Sequence, residues 1–302
     1  MEFEIKPIRI EDKELLDRYF LQNNSINSEY TFTNMFMWQE SYNIRYAIIE
    51  GMLCIFTKHG NSAETVNFPL GEGDLKSAIE TLTEYFKTLD QKPLIRLYGQ
   101  DNIDRLNEAF PNTFIFTEDR ASFDYIYKIN DLIELSGRHY HGKKNHINQF
   151  LTKYPDYKYI EIGKDNLHLC YDMFKHWCEL KSDTVPGIDE QNMAVKKLFD
   201  NFEQLSVKGG GILVGEKLVA FSIGEILNKN KSTVVIHLEH ADTDFQGSFP
   251  FINQQFLIHQ WSEFEYVNRE EDMGLPGLRR AKKSYKPCMM FKKHIASLNN
   301  PK

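Results

Sequence analysis

The sequence predicts an α+β protein made of two similar halves. Three observations lead there. A chain of 302 residues suits two domains of ordinary size. Short β-branched runs alternate with stretches of helical periodicity. The order of elements is the same in both halves: a strand, helical material, a hairpin, a strand leading to a long helix, a strand, a shorter helix and closing strands. No residue-level repeat accompanies it, so the duplication is one of architecture. The join is expected between residues 131 and 156, which gives domains 1–130 and 131–302.

In the first half, Glu4 to Ile8 reads as a short strand. Glu11 to Asn23 reads as a helix with Leu15, Leu16, Tyr19 and Phe20 on one face. Tyr30 to Trp38 is dense in aromatics and reads as packing. Tyr46 to Ile49 and Met52 to Phe56 flank Glu50-Gly51, a hairpin turn. Gly71-Glu72-Gly73-Asp74 precedes a helix reaching about Thr88, with Asp74 as its cap. Leu94 to Leu97 is a strand, Asn102 to Ala109 a helix and Ser122 to Ile129 a strand.

In the second half, Tyr157 to Ile162 is a strand. Two amphipathic helices follow, Asn166 to Lys181 and Asp189 to Leu205. Gly209-Gly210-Gly211 breaks the pattern. Ile212 to Val214 and Leu218 to Leu227 form a hairpin around Gly215-Glu216-Lys217, and a strand starts at Val234. Then come a helix from Pro250 to Glu263, a strand Tyr266 to Asn268, a helix Pro276 to Ser284 and a last strand near Met289 to His294.

Composition narrows the function classes. A net charge of -7 means that any nucleic-acid contact must be a local patch. Cys54, Cys170, Cys178 and Cys288 form no Cys-x-x-Cys pair, which points to reduced thiols in a cytoplasmic protein. The N-terminus has no basic segment followed by an apolar run, so no signal peptide is expected. No apolar stretch approaches the ~20 residues that span a bilayer.

The stretch from Val234 to Pro250 carries the candidate site. An apolar strand, a small-residue loop and a helix start make an anion site, where free N–H groups and the helix dipole point at the ligand. Phe245-Gln246-Gly247-Ser248-Phe249 has no charge, and Gly247 lets a phosphate approach the backbone. The matching loop of the first half carries Glu72 and Asp74, which repel a pyrophosphate. One ligand per chain is therefore expected, in the second half. The alternative is an ordinary strand-to-helix loop.

The order of elements resembles the GNAT acyltransferase fold, which binds acyl-coenzyme A. The segment Glu270 to Pro287, with Asp272-Met273-Gly274 and Tyr285-Lys286-Pro287, resembles a signature of bacterial proteins related to the C-terminal domain of phosphatidylglycerol lysyltransferases. Gly142-Lys143-Lys144-Asn145-His146-Ile147-Asn148 resembles a second signature of that group. The whole chain is similar to its tandem arrangement. One glycine stands where the GNAT phosphate loop usually has two or three.

The resemblance implies roles. The strand before the loop splays from its neighbour, so Leu238, Glu239 and His240 border a pantetheine arm. Glu239 or His240 is a candidate base for an acceptor amine; the alternative is an ion-paired Glu239 and a satisfied His240. Asp272 is a second candidate to serve the amine. Tyr285 matches a general acid for the leaving thiolate, with a core tyrosine as the alternative. Gln246 to Phe249 would hold the pyrophosphate. Arg279, Lys282 and Lys283 share a helix face that meets phosphates of coenzyme A or of a tRNA end, or else is solvated. His237 and His240 point to opposite faces of a strand, so no metal is expected. Between Glu134 and Asp156 there is no acidic residue, while Arg138, Lys143, Lys144 and Lys153 are present with three histidines. The first expectation is acyl transfer from acyl-coenzyme A to an amine. The alternatives are aminoacyl transfer from a charged tRNA and a binding module without catalysis.

Overall fold

The computed structural model describes residues 3–181 and 187–299. β1 (Lys6–Pro7), α1 (Lys13–Asn23) and the short α2 (Phe32–Met37) open the chain. β2 (Arg45–Ile49) and β3 (Met52–Thr57) form the first hairpin. Its turn residues Glu50 and Gly51 both have positive φ, 51° and 77°, as a tight two-residue turn requires. Next come β4 (Thr65–Asn67), α3 (Leu75–Thr88), β5 (Leu94–Tyr98), α4 (Gln100–Ala109) and β6 (Phe114–Glu118). Asp74 caps α3 by accepting the Ser77 N–H at 3.1 Å.

β7 (Asp124–Lys128), α5 (Ile129–Glu134), α6 (His141–Lys153) and β8 (Lys158–Ile162) follow. α7 (Leu167–Lys181) and α8 (Ile188–Asp200) precede the long antiparallel strands β9 (Val207–Val214), β10 (Lys217–Asn228) and β11 (Thr233–Ala241). α9 (Ser248–Gln260), β12 (Tyr266–Asn268), α10 (Pro276–Ser284), β13 (Met289–Phe291) and β14 (Lys293–Leu298) complete the order. Among the described residues no helix is long and apolar enough to cross a membrane.

The strands form two seven-stranded sheets. Their orders are β1-β2-β3-β4-β5-β14-β6 and β8-β9-β10-β11-β12-β7-β13. The two orders match position by position. Each includes one parallel pair at the same place, β4 with β5 and β11 with β12. The sixth strand is out of sequence order in both: β14 reaches the first sheet from the chain's last residues, and β7, the strand before β8, reaches the second from mid-chain. A cut at 130/131 would place β7 in the first half and β14 in the second; the structure pairs β7 with β12, and β14 with β5 and β6. The reason is edge satisfaction. Without β14, β5 and β6 would each present an unpaired row of backbone groups. The compact units follow this exchange. The first takes the chain through Asp124, Glu271–Leu275 and the chain from Phe291 onward; the second takes Tyr125–Glu270 and Pro276–Met290.

The three glycines that read as a break lie inside β9. A Cβ on Gly209 would stand 2.7 Å from Ile162 Cβ, and one on Gly210 would stand 2.2 Å from the Tyr159 hydroxyl. Close neighbours, not a loop, require these glycines. The core of the first unit lies between α3 and one sheet face, with Val66, Ile95, Leu97 and Ala296 on the strands and Ile79, Leu82 and Phe86 on the helix. The second core gathers Tyr125, Tyr127, Ile212, Val234, Phe251, Phe256 and Trp261.

The exchange makes the first unit depend on the chain's last strand. A chain ending at residue 291 should lose hydrogen-exchange protection across β5 and β6, while β9, β10 and β11 stay protected. Loss of protection confined to the second unit would contradict this topology.

Candidate functional site

β11 pairs with β12 over three residues only, Thr233 to Val235 against Tyr266 to Asn268. Its outer edge keeps pairing with β10 as far as Ala241. Past Val235 the two parallel strands part, and their carboxyl ends border an opening of the kind that holds ligands in open sheets. Glu239 on β11 and Arg269, the residue after β12, face each other there. Arg269 Nη2 donates to Glu239 Oε1 at 2.8 Å, and Asn253 Nδ2 of α9 donates to Glu239 Oε2 at 3.0 Å. Both oxygens of Glu239 are thus engaged.

Around this pair lie two phenols and a lysine. The Arg269 guanidinium sits 4.9 Å from the Tyr285 ring centre and 5.8 Å from that of Tyr127. Lys143 Nζ of α6 stands 4.1 Å over the Tyr285 ring. Burial pushes the Tyr285 phenol up to about 12, against the pull of Arg269. Burial also works against the charge on Arg269, but Glu239 and the two phenols outweigh it and raise its pKa. Lys143 is lowered, by burial first and by Arg269 second. Arg269 Nη1 is buried and has no hydrogen-bond partner among the described residues. The cluster therefore holds two cations, one engaged carboxylate and one unused buried N–H group. That set suits an oxygen that carries or develops negative charge.

His237, on β11, forms a neighbouring group. Its Nε2 lies 2.9 Å from Glu225 Oε1 and its Nδ1 2.9 Å from Glu270 Oε1. Burial alone would lower His237, but the two carboxylates hold its pKa at about 9.

The remaining sequence candidates fall elsewhere. His240 is packed among the rings of Phe174, Trp177 and Phe221, and burial lowers its pKa to about 4. The Leu238 carbonyl accepts the Ser222 hydroxyl at 3.0 Å. Asp272 belongs to the first unit, where it is fully buried, pairs with Arg120 at 3.1 Å and accepts the Gly274 N–H at 2.9 Å. On α10, Lys282 turns inward to the Arg269 carbonyl, Arg279 is half-buried and Lys283 is exposed.

The loop before α9 differs from its expected geometry. Gly247 has φ of 90°, but the space a Cβ would take is filled: the His146 carbonyl oxygen of α6 lies 2.2 Å from it and Phe150 Cβ 3.1 Å. The glycine admits a neighbouring helix backbone, where the sequence suggested an approaching phosphate. The helix start is also short of free donors. Ser248 N–H is bonded to the Phe245 carbonyl at 3.0 Å and Phe251 N–H to the Gly247 carbonyl at 3.1 Å, and Pro250 has no N–H. The Ser248 hydroxyl donates to the Asp242 carbonyl at 2.9 Å. Phe245 packs 5.0 Å from Tyr154, while Gln246 and Phe249 are exposed.

The comparisons with known proteins agree with this architecture. A family model described as phosphatidylglycerol lysyltransferase, C-terminal, matches residues 22–296. The chain belongs to this family. A solved structure of a conserved protein of unknown function from Bacteroides thetaiotaomicron is 33% identical, with a TM-score of 0.91, and covers 99% of this chain and 100% of that one. The structure of L-PGS from Bacillus licheniformis is 15% identical with a TM-score of 0.64, over 98% and 94% of the two chains. A tandem GNAT protein from the clavulanic acid biosynthesis pathway is 8% identical with a TM-score of 0.50, over 100% of both. The last two likenesses concern the fold, which is the tandem GNAT fold. An uncharacterized protein of Mycoplasmoides gallisepticum is 23% identical over 180 residues, or 59% of this chain and 57% of that protein's length.

Of the residues singled out in the sequence, Glu239 and Tyr285 meet in this cluster; Arg269, Asn253 and Tyr127 join them and were not among those candidates. Arg269 had one visible signal, its place directly after the short strand Tyr266 to Asn268. Lys143 was visible as part of a basic stretch and of the segment Gly142 to Asn148.

The His237 group makes stability pH-dependent. Its folded pKa of about 9 lies above the ordinary value of 6.5, so its contribution is complete below about pH 6.5 and is lost as pH rises through about 9. Between about pH 7 and pH 10 the wild type should lose stability on the order of 2 kcal/mol more than His237→Gln, measured by urea unfolding. Equal losses in the two proteins would show that the imidazole keeps the same protonation on unfolding.

Proposed function

We propose that the chain is an aminoacyltransferase, moving an aminoacyl group from the 3′ ester of a charged tRNA to an amine. The observation that carries this reading is the filled space at Gly247. A pyrophosphate that approached the backbone on the open side of Gly247 would need the space where the His146 carbonyl and Phe150 Cβ stand. The carbonyl-binding cluster at Glu239 and Arg269 does not depend on such a loop. Membership of the lysyltransferase C-terminal family supports the same donor class. Acyl transfer from acyl-coenzyme A, the first expectation from the sequence, becomes the rival.

In the proposed reaction the acceptor nitrogen attacks the ester carbonyl carbon. The carbonyl oxygen gains negative charge and takes a hydrogen bond from Arg269 Nη1, with Lys143 adding positive charge nearby. Glu239 and Asn253 fix the guanidinium, so the donor is already oriented when charge appears. The C–O bond to the ribose then breaks, and the departing oxygen receives a proton from the Tyr285 phenol. The proton lost by the nitrogen restores the phenol. The products are an amide and uncharged tRNA. Asp272 takes no part, since its carboxylate is engaged by Arg120 and Gly274.

The tRNA body has a suitable surface. α6 and the turn before it carry Arg138, Lys144 and Lys153, all exposed, and no acidic side chain. A groove of about 570 Å³ along α6 is lined by Asn145, Asn148, Gln149, Thr152 and Lys153. Amides, hydroxyls and lysines suit sugar–phosphate contacts.

Filter binding of charged tRNA at two salt concentrations tests the proposal. Binding should weaken steeply with salt. The Lys144→Glu, Lys153→Glu double variant should flatten the log–log slope by about 2, one for each phosphate that is no longer neutralised. Coenzyme A should leave the melting temperature unchanged. A rise of the melting temperature with coenzyme A, together with salt-insensitive tRNA binding, would return the acyl-coenzyme A reading.

A further inference from the structure

In the second unit the chain leaves β12 through Arg269 and Glu270. Glu270 has φ of 55°, a left-handed conformation that a residue other than glycine keeps only where its surroundings impose it. The backbone of this turn is tied to β7. Arg269 N–H donates to the Tyr125 carbonyl at 3.0 Å, and Tyr125 N–H donates to the Glu270 carbonyl at 3.2 Å. Glu270 N–H donates to Asn268 Oδ1 at 2.7 Å. The Arg269 side chain is fixed by Glu239, and Glu239 in turn by Asn253 of α9.

The Glu270 side chain is held from the other face of the sheet. Glu239 pairs in register with Ser222, and Val235 with Glu225. Ser222 and Glu225 are three residues apart on β10, so Glu225 stands on the face opposite to Ser222 and Glu239. Alternation counted back from Glu239 would place His237 on the Glu239 face. The ladder shows why it lies with Glu225. Ile223 pairs with Leu238, and the next residue, Gly224, pairs with Ile236, so His237 is the extra residue of a β-bulge. Gly224 is required there, since a Cβ on it would lie 2.4 Å from the Val235 carbonyl oxygen. The same bulge puts His237 on the face of His240, where alternation along the sequence predicts opposite faces.

The bulge delivers the imidazole between two carboxylates. Nε2 lies 2.9 Å from Glu225 Oε1 on β10, and Nδ1 lies 2.9 Å from Glu270 Oε1. A neutral imidazole donates from one nitrogen only, so a hydrogen bond to a carboxylate at each end requires the charged ring. Burial opposes that charge, and the two carboxylates keep the ring protonated up to about pH 9. A buried ionic group is weak evidence of stability, because apolar side chains of similar volume often serve as well. What this one supplies is position. Two successive residues after β12 are clasped, Arg269 by Glu239 on one face and Glu270 by His237 on the other.

We propose that His237 is a positioning residue for the transfer reaction: its grip on Glu270 fixes the turn that aims the Arg269 guanidinium at the ester carbonyl oxygen. When the ring loses its proton, Glu225 and Glu270 compete for a single donor and the turn loosens. The grip is therefore present below about pH 9 and lost above it. An effect of His237 on rate depends on the aminoacyl-transfer reading; the fixing of Arg269 does not.

Carbon-detected NMR of the arginine side chains in the full chain tests the clasp without reference to activity. A guanidinium held by a carboxylate shows separate Nη1 and Nη2 signals, and a freely rotating one shows them merged. The Arg269 signals are identified by their loss in Arg269→Lys. Near neutral pH they should be separate in the wild type and merged in His237→Gln. In the wild type they should merge as pH rises, with the same midpoint, about 9, as the ring nitrogens of His237. Arg96, paired with Glu29 at 3.3 Å in the first unit, should keep separate signals throughout, which distinguishes loss of the clasp from general loosening. Glu270→Gln, at the more exposed end of the group, serves as the second variant with the same expectation. In single-turnover transfer, His237→Gln should slow the reaction by about 10² with tRNA affinity unchanged, as loss of aim does. Separate Arg269 signals in both variants, or signals that stay separate after the wild-type ring has lost its proton, would overturn the proposal. Wild-type transfer rates in His237→Gln would overturn it too. A wild type that transfers nothing from any charged tRNA would remove the donor reading alone, and the guanidinium signals would still decide the clasp.

Discussion

β11 outruns its parallel neighbour, and the second unit's chemistry depends on that mismatch. Three residues of pairing fix β12 beside β11; beyond them the two strand ends must find other partners. Glu239 and Arg269 bridge the gap they leave, at 2.8 Å. A buried charge without a partner is strongly unfavourable, so each of these side chains holds the other in place. Asn253 fills the second carboxylate oxygen, and the phenols of Tyr127 and Tyr285 border the guanidinium. Arg269 Nη1, buried and without a hydrogen-bond partner among the described residues, then becomes the feature to explain. An ion pair built for stability alone would be expected to use that N–H group as well.

The two halves share a scaffold and differ in what they place on it. Both long helices begin beside a glycine whose missing Cβ makes room for a backbone carbonyl. At Gly73 the oxygen of Glu50 would lie 2.1 Å from a Cβ, and at Gly247 the oxygen of His146 would lie 2.2 Å from one. Close packing fills the Cβ position at both glycines, so the missing side chain does not by itself set the two loops apart. The real asymmetry lies at the carboxyl ends of the parallel pairs. The second unit sets a cation with a spare donor there. The first sets Arg96 and Lys293 against Glu29 and Asp124.

Local signals were legible in the sequence and distant ones were not. The Glu50-Gly51 turn, the Asp74 cap and the bounds of β12 and α10 follow from residues within a few positions of each other. The glycines at 209 to 211 misled, because their reason is the neighbouring β8 and β10 side chains, which local pattern does not contain. The single last strand expected near Met289 to His294 is two strands in two sheets, and only the topology separates β13 from β14. Glu239 and Tyr285 were singled out through the place that the resemblance gave them in the fold, and the structure sets both beside Arg269. Arg269 was not, since an arginine after a short strand has no local mark of being buried against a carboxylate thirty residues away.

The central claim is that Arg269 activates an ester carbonyl. Single-turnover transfer from a mixed pool of charged tRNAs to an amine, in wild type and in Arg269→Lys, tests it most directly. Lysine keeps the charge but cannot hold Glu239 and present a second N–H in the same plane. The account predicts that the wild type speeds loss of the ester from at least one charged tRNA, that Arg269→Lys slows this step by about 10²–10³, and that tRNA affinity is unchanged. Transfer at the wild-type rate in Arg269→Lys would contradict it.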